Sequence, residues 1–395
     1  MAVETASPTA GGAADVYAAL GVQPFINASG HNTAQGGSLM PAEVLAAMEQ
    51  AARHYVSLRA VQDAAGRRIA EVVGAPAALV SSGAAAAILL GAAACLTGKD
   101  EAAVQALPET AAHGRNRILV CRAPRPNYMY QACQAAGGKL WELGQAGAPI
   151  SPADFREAME AAAGSVAGVL LILAAVDQAQ TDAGGWEACI GQIAAHAAAH
   201  GVPVLVDAAS ELPPRNLIRR LLDLGASAVI VSGGKAIRGP QASGLLLGSP
   251  DLIEAAALNN NPLAAIGRPL KVGKEELCGL VAAVERFFAM DEDAQLAEWR
   301  ETCERIVAAG SGGPPAEVIS GHPGLGRPPL VPKAVFRFDD RAGAARAADA
   351  LRHGQPPIQP LLAGPHLIFN PMTIEPGEAE IVAQRVRQLF APSST

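Results

Sequence analysis

The chain has 395 residues, more than a single hydrophobic core usually organises, so one large and one small domain are expected. Half of the residues are hydrophobic but only 4% are aromatic, a balance that excludes disorder and favours a helix-rich α/β protein packed with alanine. The net charge of −7 comes without any run of Lys or Arg, which argues against nucleic-acid binding and for a small, metabolite-sized substrate.

From the N-terminus, residues 1–14 read as a flexible tail without the cationic flank and apolar stretch of a secretory signal. A short helix is expected over Asp15–Leu20 and an extended segment over Gln23–Ala28. Pro41–Tyr55 and Arg59–Val73 read as helices, the second stopped by Gly74. Ala77–Leu96 carries no charge over 20 residues, but Ser81-Ser82-Gly83 interrupts it, so it reads as a buried strand, a turn and a buried helix rather than a membrane span. Strands are then expected at Ile118–Cys121, Val169–Ala174, Val204–Val206, Ala228–Val231 and Leu245–Leu247. Helices are expected between them at Tyr128–Ala136, Trp186–His200 and Leu217–Leu224. Short apolar strands without alternation, spaced by helices, predict a mostly parallel sheet covered on both faces.

Beyond Gly244 the texture changes. Lys274–Ala309 predicts a long amphipathic helical stretch broken near Asp291, and the Gly/Pro-rich segment 310–332 reads as a linker. Ala334–Phe338, Ala342–Arg352, His366–Phe369 and Glu378–Phe390 then form a smaller α+β unit. The expected partition is an N-terminal tail and arm over 1–45, a large domain over 46–265 and a small C-terminal domain over 266–395. Cys95, Cys121, Cys133, Cys189, Cys278 and Cys303 lie far apart with no C-x-x-C pair, the pattern of free thiols in a reduced, cytoplasmic setting.

Three separated pieces carry chemistry. Ser82-Gly83-Ala84, between strand and helix, offers free N–H groups and the positive end of a helix dipole to a phosphate, although alone it is equally an ordinary helix start. Asp207 ends a buried strand, where open α/β sheets place ligands; it suits a metal, a ribose or a protonated ring nitrogen. Ser232-Gly233-Gly234-Lys235 follows the next apolar strand. Its small residues allow the lysine close to a bound aldehyde, where desolvation activates the amine, and the upstream spacing of a P-loop is missing. His196 and His200 stand at i, i+4 but lack the acidic partner of a zinc site, so no metal is expected.

The order of phosphate turn, Asp207 and then Lys235, 28 residues further on, matches fold-type-I pyridoxal-phosphate enzymes. Val204–Pro214 (VLVDAASELPP), Val231–Gly248 (VSGGKAIRGPQASGLLLG), Gly267–Gly279 (GRPLKVGKEELCG), Phe25–Gly37 (FINASGHNTAQGG) and Ser81–Ala87 together resemble the selenocysteine synthase-like family, which includes D-glucosaminate-6-phosphate ammonia-lyase. The resemblance implies the fold-type-I transferase fold, a homodimer or higher oligomer, and pyridoxal 5'-phosphate held as a Schiff base on Lys235. It makes Asp207 the partner of the pyridinium nitrogen and Ser82, Gly83, Ala84 and Ser232 the phosphate cradle. Tyr128 or Tyr130 would cover the ring, with Tyr128 carried among the cofactor-binding residues. Asn27, Ser29, His31 and Arg268 are the substrate-side candidates, with His54, Tyr55 and Lys271 as further positions, and Arg238 is a candidate for the cofactor phosphate of a neighbouring subunit.

The implied activity is a β-eliminating lyase of ammonia-lyase type acting on an amino acid or amino-sugar acid, with Lys235 abstracting the Cα proton. A racemase or epimerase is the alternative, and a selenium transferase on aminoacyl-tRNA a more distant one. Ala174–Trp186 (AAVDQAQTDAGGW) departs from the family's Gly- and Pro-containing loop, which leaves the substrate open.

Overall fold

The computed structural model describes residues 13–111, 114–122, 127–144, 151–162, 164–177, 185–320 and 331–391. Its strands are β1 Ile26–Ala28, β2 Ala77–Ser81, β3 Arg117–Cys121, β4 Lys139–Leu143, β5 Val166–Ile172, β6 Val204–Asp207, β7 Ala228–Ser232, β8 Gly244–Gly248, β9 Ala316–Ser320, β10 Pro332–Arg337, β11 Ile358–Ala363 and β12 His366–Phe369. Two compact units result. One is His31–Gln295, and the other joins the described residues up to Gly30 with Leu296–Ser320 and the residues from Val331 onward.

The larger unit is built on a seven-stranded sheet in the order β2-β8-β7-β6-β5-β3-β4. Strands β3 to β7 pair in parallel, while β8 runs antiparallel to both β2 and β7. Alternate residues of one strand feed opposite cores: Val204 and Val206 face one apolar cluster and Leu205 the other. This two-sided burial is why the strands read as unbroken apolar runs. Helices Ala42–Ala52, Leu58–Val73 and Lys274–Ala289 contribute to the first cluster, and Ala84–Thr97, Tyr128–Ala135 and Pro250–Leu258 to the second.

Small residues set how near those helices lie. A Cβ on Gly91 would sit 3.0 Å from the Leu205 Cδ1, and one on Gly66 would sit 2.4 Å from the Ala78 carbonyl oxygen. The alanine-rich, aromatic-poor composition thus becomes close helix–sheet packing rather than bulky interdigitation.

In the smaller unit a five-stranded sheet runs β1-β11-β12-β10-β9, with β1 parallel to β11 and the remaining pairs antiparallel. Its core centres on Phe336, whose ring stacks on Phe390 at 5.5 Å and meets Phe369 edge-on at 5.8 Å. Gly310 and Gly313 lie directly against Phe336 and Phe390, where no side chain would fit.

As expected, the helical stretch from Lys274 breaks at Met290-Asp291, where Asp291 accepts the Ala294 N–H at 3.0 Å and starts the second helix. The Gly/Pro-rich segment read as a linker contains β9, held by register with β10. The unit boundaries also differ from cuts at 45 and 265. Pairing of β1 with β11 assigns the residues before His31 to the smaller unit, and packing on Ala42–Ala52 and Leu58–Val73 assigns Lys274–Ala289 to the larger. The expected tail over 1–14 lies almost wholly outside the described residues, as does 178–184 within the unusual loop. Among the described residues no helix is long and apolar enough to cross a membrane.

The reversed strand β8 must pass under the turn that follows β2. A Cβ on Gly244 would lie 2.4 Å from the Gly83 carbonyl carbon and 2.7 Å from the Ala84 nitrogen, all backbone atoms. Gly244→Ala should therefore destabilise the protein by about 1–3 kcal/mol, as overpacking does, and urea unfolding would measure it.

Candidate active site

The C-terminal edge of the seven-stranded sheet carries the turn after β2, Asp207 and the loop of Lys235. At the end of β2, the buried Ser81 hydroxyl donates to the Gly83 carbonyl at 2.9 Å and folds the turn. Gly83 has φ +143°, a conformation open to glycine and strained for other residues. It caps helix Ala84–Thr97 without any side-chain hydrogen bond, which leaves the first-turn N–H groups to face outward at the positive end of a 14-residue helix. Register places Gly244 opposite both Ser81 and Ser232, so the half-buried Ser232 sits two strands across from this turn.

Asp207 ends β6 at 5% exposure, in register with Ile172 on β5 and Ile230 on β7. Its Oδ1 accepts the Ala209 N–H at 3.0 Å. Burial raises its carboxyl from the usual 3.8 to about 6, with Glu211 adding to the rise and the Ala209 N–H and Lys235 opposing it.

Lys235 stands in the loop after β7. That loop is fixed by Gly233 N–H to the Ser243 carbonyl at 3.0 Å, Gly239 N–H to the Gly233 carbonyl at 2.8 Å and Arg238 N–H to the Lys235 carbonyl at 2.9 Å. Gly233 and Gly234 are required, because Cβ atoms there would collide with Ser243 and with the Gln241 backbone. The Lys235 Nζ donates to the Ser210 Oγ. Burial lowers the lysine below its usual value, against the contrary pull of Asp207 and Glu211.

A second loop presses on the first. Ser38 donates to the Gly234 carbonyl at 3.0 Å, and a Cβ on Gly37 would be 2.4 Å from that same oxygen. Arg238 adopts a left-handed φ of 59° and donates its Nε to the Leu39 carbonyl at 2.8 Å. The loop begins with His31, whose imidazole is lowered to about 4 by burial and then by the charges of Lys235 and Arg238. At neutral pH it is uncharged.

The two tyrosines separate cleanly. Tyr130 is 1% exposed, lies in the second apolar cluster and donates its hydroxyl to the Cys121 carbonyl. Tyr128 is 57% exposed, and its phenol is raised by burial and by the charge of Asp207. Of the pair, Tyr128 is the one whose phenol feels the charge of Asp207.

The remaining candidates are placed differently. Asn27 and Ser29 belong to the smaller unit, where Asn27 Oδ1 accepts both the Ser29 N–H at 3.0 Å and its hydroxyl at 2.8 Å. Arg268 is exposed and donates to Asn261 Oδ1 at 3.3 Å; Lys271, His54 and Tyr55 are exposed as well. His196 packs edge-on against Phe155, and among the described residues no group of three or more His, Cys, Asp or Glu side chains is arranged to hold a metal. Sequence reasoning overlooked Ser210 and Glu211. The only available signal was their place just after Asp207, at a ligand-bearing strand end.

No family model matches the chain. Over 385 residues, 95% of this chain and 92% of the relative, it is 30% identical to a 5'-C-glycyluridine monooxygenase-decarboxylase of a Streptomyces species. It is 27% identical to the D-glucosaminate-6-phosphate ammonia lyase of Salmonella typhimurium, covering 95% of this chain and 98% of that one. A solved D-glucosaminate-6-phosphate ammonia-lyase superposes with a TM-score of 0.76 at 25% identity, across 95% and 98% of the two chains. The chain belongs to the selenocysteine synthase-like and D-glucosaminate-6-phosphate ammonia-lyase family.

Members of this family are fold-type-I pyridoxal-phosphate enzymes, and the protein is one of them. Its own residues fit the cofactor. A desolvated carboxylate suits a protonated ring nitrogen, an uncapped helix start behind a glycine turn suits a phosphate, and a desolvated lysine suits an aldehyde.

Asp207 also makes a stability prediction. The folded state holds its proton up to about pH 6, whereas the unfolded chain releases it near 3.8. Stability of the cofactor-free protein should therefore fall as pH rises through that window, by up to about 3 kcal/mol. Asp207→Asn should be more stable than the cofactor-free wild type at pH 7, with the gap closing towards pH 4, in denaturant titrations.

Proposed function

We propose that the protein is a pyridoxal-phosphate-dependent lyase of the β-eliminating, ammonia-releasing type, acting on an amino acid or amino-sugar acid. The observation that carries this reading is the placement of Asp207 at the end of β6 and of Lys235 in the loop after the adjacent β7, on the sheet edge that also carries the glycine turn after β2. The relationship to an ammonia lyase over nearly the whole chain supports the reaction type.

In this reading the Lys235 amine would hold the cofactor covalently, and the same amine, when free, would serve as the base at Cα. Bound pyridoxal phosphate supplies the sink for the electrons left at Cα. Asp207 stays ionised against the ring nitrogen, an opposite charge that offsets the burial now holding its carboxyl near 6. Ser82, Gly83, Ala84 and Ser232 bind the phosphate, and Tyr128 covers the ring. His31 meets the substrate as a neutral hydrogen-bonding group, and Arg268 supplies a cation for a carboxylate or phosphate. Loss of a β-hydroxyl followed by hydrolysis gives a 2-oxo acid and ammonia. The substrate is a small molecule and the assembly a homo-oligomer.

A second reading rests on the 30% identity to a monooxygenase-decarboxylase. Loss of carbon dioxide also leaves electrons at Cα, so the same Lys235 and Asp207 would serve it, with dioxygen as the oxidant. Incubating the holoenzyme with β-hydroxy amino acids, amino-sugar acids and glycyl nucleosides separates the readings. Ammonia and 2-oxo acid without dioxygen uptake support the lyase. Dioxygen uptake with carbon dioxide release supports the second reading, and stereoinversion alone supports a racemase.

Lys235→Ala should lose the borohydride-trapped cofactor adduct and about 10²–10⁴-fold or more of the turnover rate, seen by mass spectrometry and product assay. Wild-type protein that captures no pyridoxal phosphate would overturn the proposal. Capture should rise with pH, because both the Lys235 amine and the Asp207 carboxyl become competent by losing a proton.

A further inference from the structure

The lysine loop is immobilised through its backbone, yet its side chain is free to swing unless something holds its tip. The fixed backbone is set by the hydrogen bonds to Ser243, Gly233 and Ser38 described above. The tip has one fixed partner on the neighbouring strand end, the Ser210 hydroxyl, which accepts an N–H from Lys235.

The position of Ser210 follows from Asp207. By accepting the Ala209 N–H, the Asp207 side chain bends the chain immediately after β6, and the Glu211 N–H closes the turn on the Ala208 carbonyl at 3.1 Å. The Ala208 N–H bonds the Ile230 carbonyl at 2.9 Å and ties this turn to β7, the strand that leads to Lys235. Thus the carboxylate assigned to the ring nitrogen also presents a hydroxyl to the lysine.

We propose that Ser210 is a positioning residue for Lys235, holding the amine at the cofactor's aldehyde side by accepting one of its N–H groups. This rests on the functional reading above. An acceptor at that place engages the lysine in both protonation states. In the neutral amine it takes one N–H and leaves the lone pair free to attack an aldehyde or to take a proton from Cα. The charged and titratable groups that act on the amine are Asp207 and Glu211 from the turn; His31, from the loop that packs on the lysine loop, feels both Lys235 and Arg238.

The test uses the full-length protein freed of cofactor. Capture of added pyridoxal phosphate is followed by absorbance across pH, and the adduct on Lys235 is confirmed after borohydride by mass spectrometry. Ser210 is solvent-exposed, so Ser210→Ala should fold normally, which thermal melting checks. The variant should show a plateau capture rate about tenfold lower, the cost of a misplaced reacting group. Its pH midpoint should move down, since the ammonium form loses an acceptor. Ser210→Thr, which keeps the hydroxyl, should restore both. Capture by Ser210→Ala at the wild-type rate and midpoint overturns the proposal, and so does an equal defect in Ser210→Ala and Ser210→Thr. Failure of the wild type itself to form the adduct on Lys235 instead overturns the functional reading on which the proposal stands.

Discussion

The burial of one carboxylate organises the larger unit. Asp207 is placed where a charge is costly, at the end of a strand covered on both faces, with only short-range help from the Ala209 N–H and from Lys235. A carboxyl in that setting resists ionisation until it meets a cation of matching geometry. Without a partner Asp207 keeps its proton only below about pH 6, and above that the sheet holds a buried, poorly compensated anion that a cation would stabilise. The lysine loop, the turn after β2 and the loop from His31 to Leu39 all converge on the same edge. Each is fixed by glycine contacts and by hydrogen bonds onto backbone carbonyls, from backbone N–H groups and from the Ser81, Ser38 and Arg238 side chains.

That economy of side-chain volume extends through the unit. Gly91 over Leu205, Gly66 over the Ala78 carbonyl and Gly244 beneath Gly83 are three close approaches that each depend on a missing Cβ. Alanine-rich helices bury little area per residue, so the unit compensates by layering helices on both sides of a wide sheet. The smaller unit takes the other course and gathers aromatic rings around Phe336.

The readable parts of the site were those governed by chain-local rules. The glycine turn before an apolar helix, an acid at a strand end and a lysine among glycines after the next strand all follow from short-range pattern, and their order made the combination specific. What escaped was set by contacts between distant segments. Asn27, Ser29 and His31 read as one polar loop, but the hydrogen bonds of β1 to β11 assign the first two to a different unit from the third. Strand β9 was hidden because its only regular feature is register with β10, and its flanks are rich in Gly and Pro. Tyr128 and Tyr130 were indistinguishable by type. Two positions apart on a helix, they point to nearly opposite sides, and only the surrounding layers say which side is core. Ser210 is invisible for a similar reason, since its partner Lys235 lies in the loop after the next strand.

The parallel pairing of β1 with β11 has a consequence for how the polypeptide is made. The larger unit is contiguous from His31 to Gln295, so every strand of its sheet is synthesised before β9 to β12. The smaller sheet draws β1 from one end of the chain and its other four strands from the opposite end. During synthesis β1 is thus an early strand without its mate, and the smaller unit closes only after the larger unit's strands and then β9 to β12 have emerged.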